Sequence, residues 1–256
     1  MPTAAGCYYF AHEADNHSRP PVILIHGAGG NHLSWPPHLR RLPNQRMFAL
    51  DLPAHGKSEG LGHHAIEDYV HNVLEFISEL KIYSAILVGH SMGSAIALSA
   101  AIHFPERIIA LGLIGSGARL RVAPTLLRLA SDSSTFENAA RMIQDASFSS
   151  DTRTKELSLQ RMLQMRSTVL YGDLMACDTF DAMDQLSKLS HPTLIVCGSE
   201  DQMTPLGYSE FLRDHISGAR LEVVPNAGHM VMLEQPDIVS NLLAGFFNSI
   251  PIIPGK

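Results

Sequence analysis

A chain of 256 residues, 45% of them hydrophobic, can bury one sizeable core, so a single domain with room for one inserted subdomain is expected. A net charge of −6 without a cluster of Lys and Arg gives a nucleic-acid backbone no surface to recognise. The opening Met1-Pro2-Thr3-Ala4-Ala5-Gly6 lacks the charged and apolar regions of a leader, and no run is long enough to cross a bilayer, so no membrane association is expected.

Cys7, Cys177 and Cys197 are odd in number and form no Cys-x-x-Cys, which points away from a disulfide framework and toward a reducing cytoplasm. The histidines form no His-x-x-x-His or His-Glu-x-x-His spacing. Neither a metal nor a cofactor is expected.

Residues 7–14 read as an N-terminal strand and residues 15–21 as a polar turn. Pro21-Val22-Ile23-Leu24-Ile25 is a continuous apolar run, as in a strand covered on both faces. It ends in His26-Gly27-Ala28-Gly29-Gly30. That loop is not a phosphate cradle: a dinucleotide fingerprint begun at Gly27 needs glycine where His32 stands. Gly56-Lys57-Ser58 likewise has Asp51 where a P-loop needs its first glycine.

A short helix is expected over residues 35–42, behind Pro36-Pro37, and a core strand over residues 46–50. The loop Asp51-Leu52-Pro53-Ala54-His55-Gly56-Lys57-Ser58 follows. Ile66, Tyr69, Val70, Val73, Leu74, Ile77 and Leu80 then recur at helical spacing, predicting an amphipathic helix over residues 66–80.

Ala85-Ile86-Leu87-Val88 reads as a buried strand and residues 92–104 as a helix apolar on nearly every side. Ser91 sits at the joint. Turning from strand to helix in so few residues forces Ser91 toward a strained conformation, and Gly89 and Gly93 remove the side chains that would collide across the bend. The hydroxyl is thereby held at a helix N-terminus, where unpaired N–H groups favour developing negative charge.

A strand over residues 108–114 ends at Gly115-Ser116-Gly117, and the alternation then breaks. Residues 119–189 read as short helices over 124–130, 135–146, 154–165 and 168–176, too long a stretch for a simple crossover and expected to form a lid. Within it Met162, Met165 and Met175 are candidates for a pocket ceiling, with ordinary packing the favoured reading. Asp173, Asp178, Asp181 and Asp184 read as solvated faces and caps. Sheet grammar resumes at Pro192-Thr193-Leu194-Ile195-Val196-Cys197, then Gly198-Ser199-Glu200-Asp201. Leu221-Glu222-Val223-Val224 leads to Pro225-Asn226-Ala227-Gly228-His229, and a last helix runs over residues 236–249.

Gly89-His90-Ser91-Met92-Gly93, between strand and helix, resembles the nucleophile elbow of the α/β-hydrolase superfamily, and the likeness extends over nearly the whole chain, most weakly over residues 119–189. It implies a mostly parallel, doubly wound α/β sheet, with a core of residues 1–117 and 190–256 and a helical cap of residues 118–189. It also implies a catalytic triad of Ser91, Asp201 and His229 in that chain order, Glu200 being the competing acid. The N–H of Met92 would be one oxyanion donor and that of Ala28 the other, with Gly29 as the alternative. His26, Asp51 and His55 are expected to be scaffold, and Ala54, where the family has glycine, to alter its turn.

Ser91 excludes relatives that use an Asp nucleophile. Carboxylesterase, lactonase and carbon–carbon bond hydrolase activities remain open, with a small-molecule ester or lactone as the expected partner; so does a ligand-binding protein with little turnover. A carboxylesterase of small to medium acyl chains leads.

Overall fold

Uninterrupted apolar runs make the central strands, because a strand covered on both faces has no polar side to alternate with. The computed structural model describes residues 2–14, 19–150 and 152–251, and among these one sheet has eight strands. They are β1 (Thr3–Ala4), β2 (Cys7–His12), β3 (Val22–Ile25), β4 (Met47–Leu50), β5 (Ala85–His90), β6 (Ile108–Ile114), β7 (Thr193–Gly198) and β8 (Arg220–Val224). Their spatial order is β1-β2-β4-β3-β5-β6-β7-β8; β1–β2 and β2–β4 pair antiparallel and the rest parallel. The mostly parallel sheet is as expected; the polar turn expected at residues 15–21 lies partly outside the described residues.

Helices cover both faces: α1 (Pro37–Arg40), α2 (Ile66–Glu79), α3 (Met92–His103), α4 (Pro124–Ala130), α5 (Phe136–Ser147), α6 (Arg153–Met162), α7 (Ser167–Thr179), α8 (Leu206–His215), α9 (Val231–Glu234) and α10 (Pro236–Ser249). Side chains of β3 alternate between two cores. Ile23 and Ile25 pack in a cluster with Tyr69 and Val73 of α2 and Ile96 of α3, whereas Val22 and Leu24 join Trp35, Leu39 and Phe246. Helices α4–α7 stand between β6 and β7 and share an apolar cluster of their own, including Leu126, Phe136, Ile143, Met162 and Leu174. No helix among the described residues is long and apolar enough to cross a membrane.

The helix expected over residues 35–42 is shorter. Asn31 caps a 3-10 turn at His32–Ser34 by accepting from the Leu33 N–H, and Pro36, held extended by the proline after it, delays α1 to Pro37.

Ala54 keeps the left-handed turn at φ +68°, a conformation that costs an L-residue roughly 1–2 kcal/mol. Part of that cost returns as the lower chain entropy of Ala when unfolded. Ala54→Gly is therefore expected to stabilise the protein by up to about 1 kcal/mol, a rise of roughly 2–4 °C in Tm by calorimetry.

The site follows from sheet order. β3 lies between β4 and β5, the point where the chain reverses its direction of winding, and open sheets of this kind bind ligands at the carboxyl ends of such strands. Because Ile25 pairs with Gly89, the loops that leave β3 and β5 lie side by side.

Candidate active site

Ser91 leaves β5 at φ 53° and ψ −117°, a conformation that costs an L-residue on the order of 1–3 kcal/mol and persists only where its surroundings enforce it. They do so here. The Ser91 N–H donates to the Ile114 carbonyl at 2.9 Å, and its own carbonyl accepts from the Ser94 hydroxyl at 2.6 Å. A Cβ on Gly89 would lie 2.1 Å from the Gly93 carbonyl oxygen, and one on Gly93 would lie 2.1 Å from that of Ile25. Both glycines are thus required by backbone contacts that cannot relax.

Asp201 and His229 are brought together from the ends of β7 and β8. His229 Nδ1 lies 2.9 Å from Asp201 Oδ2, with both side chains almost wholly buried. The carboxylate is fully engaged: Oδ1 accepts the Met203 and Thr204 N–H groups at 2.9 and 2.8 Å, and Oδ2 also accepts the Thr204 hydroxyl at 2.8 Å. Burial pushes the Asp201 carboxyl up, but the neighbouring His229 ring and the Thr204 donors outweigh it and hold the group below its ordinary value. The Thr204 hydroxyl points its hydrogen at Asp201 Oδ2, so a lone pair of its oxygen faces Nδ1 at 3.2 Å. Two acceptors then require the proton on Nδ1, leaving Nε2 with a free lone pair. Glu200, the competing acid, is exposed.

Buried His229 Nε2 has no hydrogen-bond partner among the described residues, and it shares a chamber with half-buried Ser91. The two do not hydrogen-bond directly; in substrate-free sites such bonds are often long and tighten only when the reactant arrives. Gly115 makes room for the ring, since a Cβ there would meet it at 3.0 Å. His90, beside Ser91, donates from Nε2 to the His229 carbonyl at 3.0 Å.

In the loop after β3, the Gly29 N–H donates to Asp173 Oδ2 at 2.9 Å and is taken. Among the described hydrogen bonds neither the Ala28 nor the Met92 N–H has an acceptor, and Ala28 lines the cavity with Ser91.

Asp173 is not on a solvated face as its helical context suggests: it is completely buried on α7. Besides Gly29 it accepts from His55 Nε2 at 2.7 Å and from the Tyr69 hydroxyl at 2.6 Å. His55 Nδ1 in turn faces the Pro53 carbonyl at 2.9 Å. An imidazole that donates from both nitrogens is a cation, so His55 and Asp173 form a buried ion pair. Burial opposes charge on both, yet their mutual attraction raises His55 and lowers Asp173. Asp178 and Asp181 do cap and pair near the surface, with the Val122 N–H and Arg119. Asp51 braces the loops, accepting from His32 and from the Lys57 N–H.

His26 donates from Nδ1 to the Gly27 carbonyl at 2.8 Å and accepts the Leu52 N–H on Nε2 at 3.1 Å, so it is neutral. Burial lowers His26 to about 4 and His90 to about 3. Both are depressed below the unfolded value of 6.5, so each contributes stability above pH 6.5 that is lost as pH falls. Unfolding near pH 5 is expected to take up roughly two protons from these residues, read from the slope of urea stability against pH.

Ser91 stands at the junction of two chambers. The larger, of about 270 Å³, is walled by Leu120, Val122, Leu126, Ile143 and Leu174; the smaller, of about 50 Å³, holds His229, Gln144, Ser147 and Met162. Of the candidate ceiling methionines, Met162 lines the small chamber and Met165 a separate outer cavity, while Met175 lines neither. Met203 and Met230 are wall residues, and Met92 and Met232 are core. Sequence reasoning missed Thr204 and Tyr69 as site supports; Asp201-x-x-Thr204-Pro205, following a strand, was the available signal for the first.

Over residues 22–242 the sequence matches the Alpha/beta hydrolase family. The chain belongs to the alpha/beta hydrolase family. It is 26% identical over 239 residues to 3-oxoadipate enol-lactonase 1 of Acinetobacter baylyi, covering 90% of each chain. It is 28% identical over 249 residues to 2-hydroxymuconate semialdehyde hydrolase of a Pseudomonas species, covering 88% of this hydrolase and 86% of that one. The solved structure of a thermophilic esterase superposes with a TM-score of 0.81 at 31% identity, over 96% of this hydrolase and all of that chain.

Proposed function

We propose that this hydrolase cleaves carboxylic esters of small to medium acyl chains through an acyl-enzyme on Ser91. The observation that carries the reading is the setting of His229: Nδ1 faces Asp201 and Thr204, and the unpartnered Nε2 shares a buried chamber with the hydroxyl at a strained elbow. In this reading Nε2 takes the Ser91 proton as Oγ bonds to the ester carbon, and the Ala28 and Met92 N–H groups bind the oxyanion. The carbon–oxygen bond to the alcohol breaks, with the proton passing from His229 to the leaving oxygen. Water, deprotonated by the same nitrogen, then releases the acid and restores Ser91. Asp201 orients the ring and stabilises its charged form.

Residues 118–189 act as the cap, their helices closing the cavity above the sheet. Lactone opening is the second reading, supported by the likeness to the enol-lactonase over nine-tenths of both chains. It needs the same groups, with the alcohol staying attached to the acid. Rapid mixing with p-nitrophenyl butyrate tests the proposal: a burst of nitrophenol stoichiometric with enzyme is expected if deacylation is the slower step. Steady turnover lost by about a million-fold in Ser91→Ala is expected in any case, and turnover that survives this substitution refutes the reading.

A further inference from the structure

The two chambers are unequal in size, and the reaction decides which part of the substrate each receives. A leaving alcohol must collect its proton from His229 Nε2, so its substituent extends into the space that contains the ring. His229 lines the small chamber and not the large one. The acyl chain therefore takes the large apolar chamber and the alcohol the small one.

Gln144 is buried in the wall of the small chamber at 3% exposure. Its Nε2 finds only the sulfur of Met162, at 3.7 Å, and its Oε1 has no hydrogen-bond partner among the described residues. An unpaired buried amide oxygen lowers stability until a water or a ligand donates to it, and this one lines the chamber assigned to the alcohol. Gln144 is also fixed relative to the base: one turn along α5, the Ser147 carbonyl accepts the N–H of Met230, the residue after His229, at 3.0 Å. Glu234 reinforces the joint, its Oε2 accepting the Gly228 N–H at 2.7 Å and its Oε1 the Ser149 N–H at 2.8 Å.

We propose that Gln144 accepts a hydrogen bond from a second hydroxyl on the alcohol part of the substrate. The substrate class is then an apolar acid esterified to a short diol or polyol. This rests on the serine-hydrolase reading above and adds to it the identity of the alcohol.

The test compares 2-hydroxyethyl hexanoate with n-propyl hexanoate, which share the acyl chain and the number of heavy atoms and differ by a hydroxyl against a methyl. Their kcat/KM values, each divided by the ester's alkaline hydrolysis rate, report acylation alone. The hydroxyethyl ester is expected to be preferred about tenfold, the discrimination of one hydrogen bond to a buried acceptor, and the preference to vanish in Gln144→Leu. Equal or reversed rates in the wild-type enzyme overturn the assignment, whether or not the variant folds. So does a preference that persists in folded Gln144→Leu, or failure to cleave either ester. Fluorophosphonate labelling of Ser91 separates the two levels: a labelled enzyme with no preference loses only the Gln144 assignment, while an unlabelled, inactive one loses the hydrolase reading as well.

Discussion

Asp201→Asn is expected to lower kcat on an activated ester by about ten-thousand-fold while leaving the protein folded. The reason lies in the hydrogen bonds around the ring. Asp201 Oδ2 sits 2.9 Å from His229 Nδ1 and accepts the Thr204 hydroxyl, while Oδ1 is occupied by two backbone N–H groups. An Asn that keeps its amide oxygen toward those backbone donors presents its NH₂ to the ring. Nδ1 must then accept, which moves the ring proton to Nε2, and a protonated Nε2 cannot take the proton of Ser91. Stopped-flow ester hydrolysis with parallel calorimetry separates this from unfolding. Near-normal turnover would assign the acid's role elsewhere, with Glu200 the first group to examine.

Asp173→Ala is expected to act on stability first. The substitution strands a buried imidazolium and removes the acceptor of the Gly29 N–H and the Tyr69 hydroxyl. Breaking a buried pair by deleting one partner costs about 3–5 kcal/mol. For a chain of this size that lowers Tm by roughly 8–15 °C. Activity should fall too, because Gly29 adjoins Ala28 and the pair ties α7 to the loop that carries the proposed oxyanion donor.

The pH dependence follows from the shifts. His55 is raised above 6.5, so its contribution is complete below pH 6.5 and is lost as pH rises through its folded value. Asp173 is lowered below 3.8, so its contribution is complete above pH 3.8 and is lost as pH falls through its folded value. The stability gap between the wild type and Asp173→Asn is expected to be widest between about pH 4 and 6.5 and to narrow on both sides. Urea melts across that range check it; a gap independent of pH would mean that His55 is neutral.

Those two residues differ in how visible they are in the sequence. Asp201 could be found because its signal is local: an acid just beyond a strand, 28 residues before a Gly-His pair that also follows a strand. The central strands and α2 were legible for the same reason, since burial on two faces or on one stripe leaves an immediate imprint on residue order. Asp173 leaves none. Its helix reads as any half-polar helix, and its partners His55 and Tyr69 lie 118 and 104 residues away, so only the fold reveals that it points inward. Gln144 is invisible likewise, as a polar residue on an amphipathic helix whose role depends on what sits across the chamber. At short range, the two-residue strand β1 was too brief to carry a period, and the early cap at Asn31 was hidden by the more conspicuous Pro36-Pro37.

An acyl-enzyme on Ser91 requires a hydroxyl that reacts covalently, and mass spectrometry detects that reactivity without knowledge of the natural substrate. Incubation with a fluorophosphonate, then digestion and peptide mapping, should place a single adduct on Ser91, with labelling abolished in Ser91→Ala and strongly slowed in His229→Ala. An adduct on any other residue, or a folded protein that stays unmodified, would contradict it.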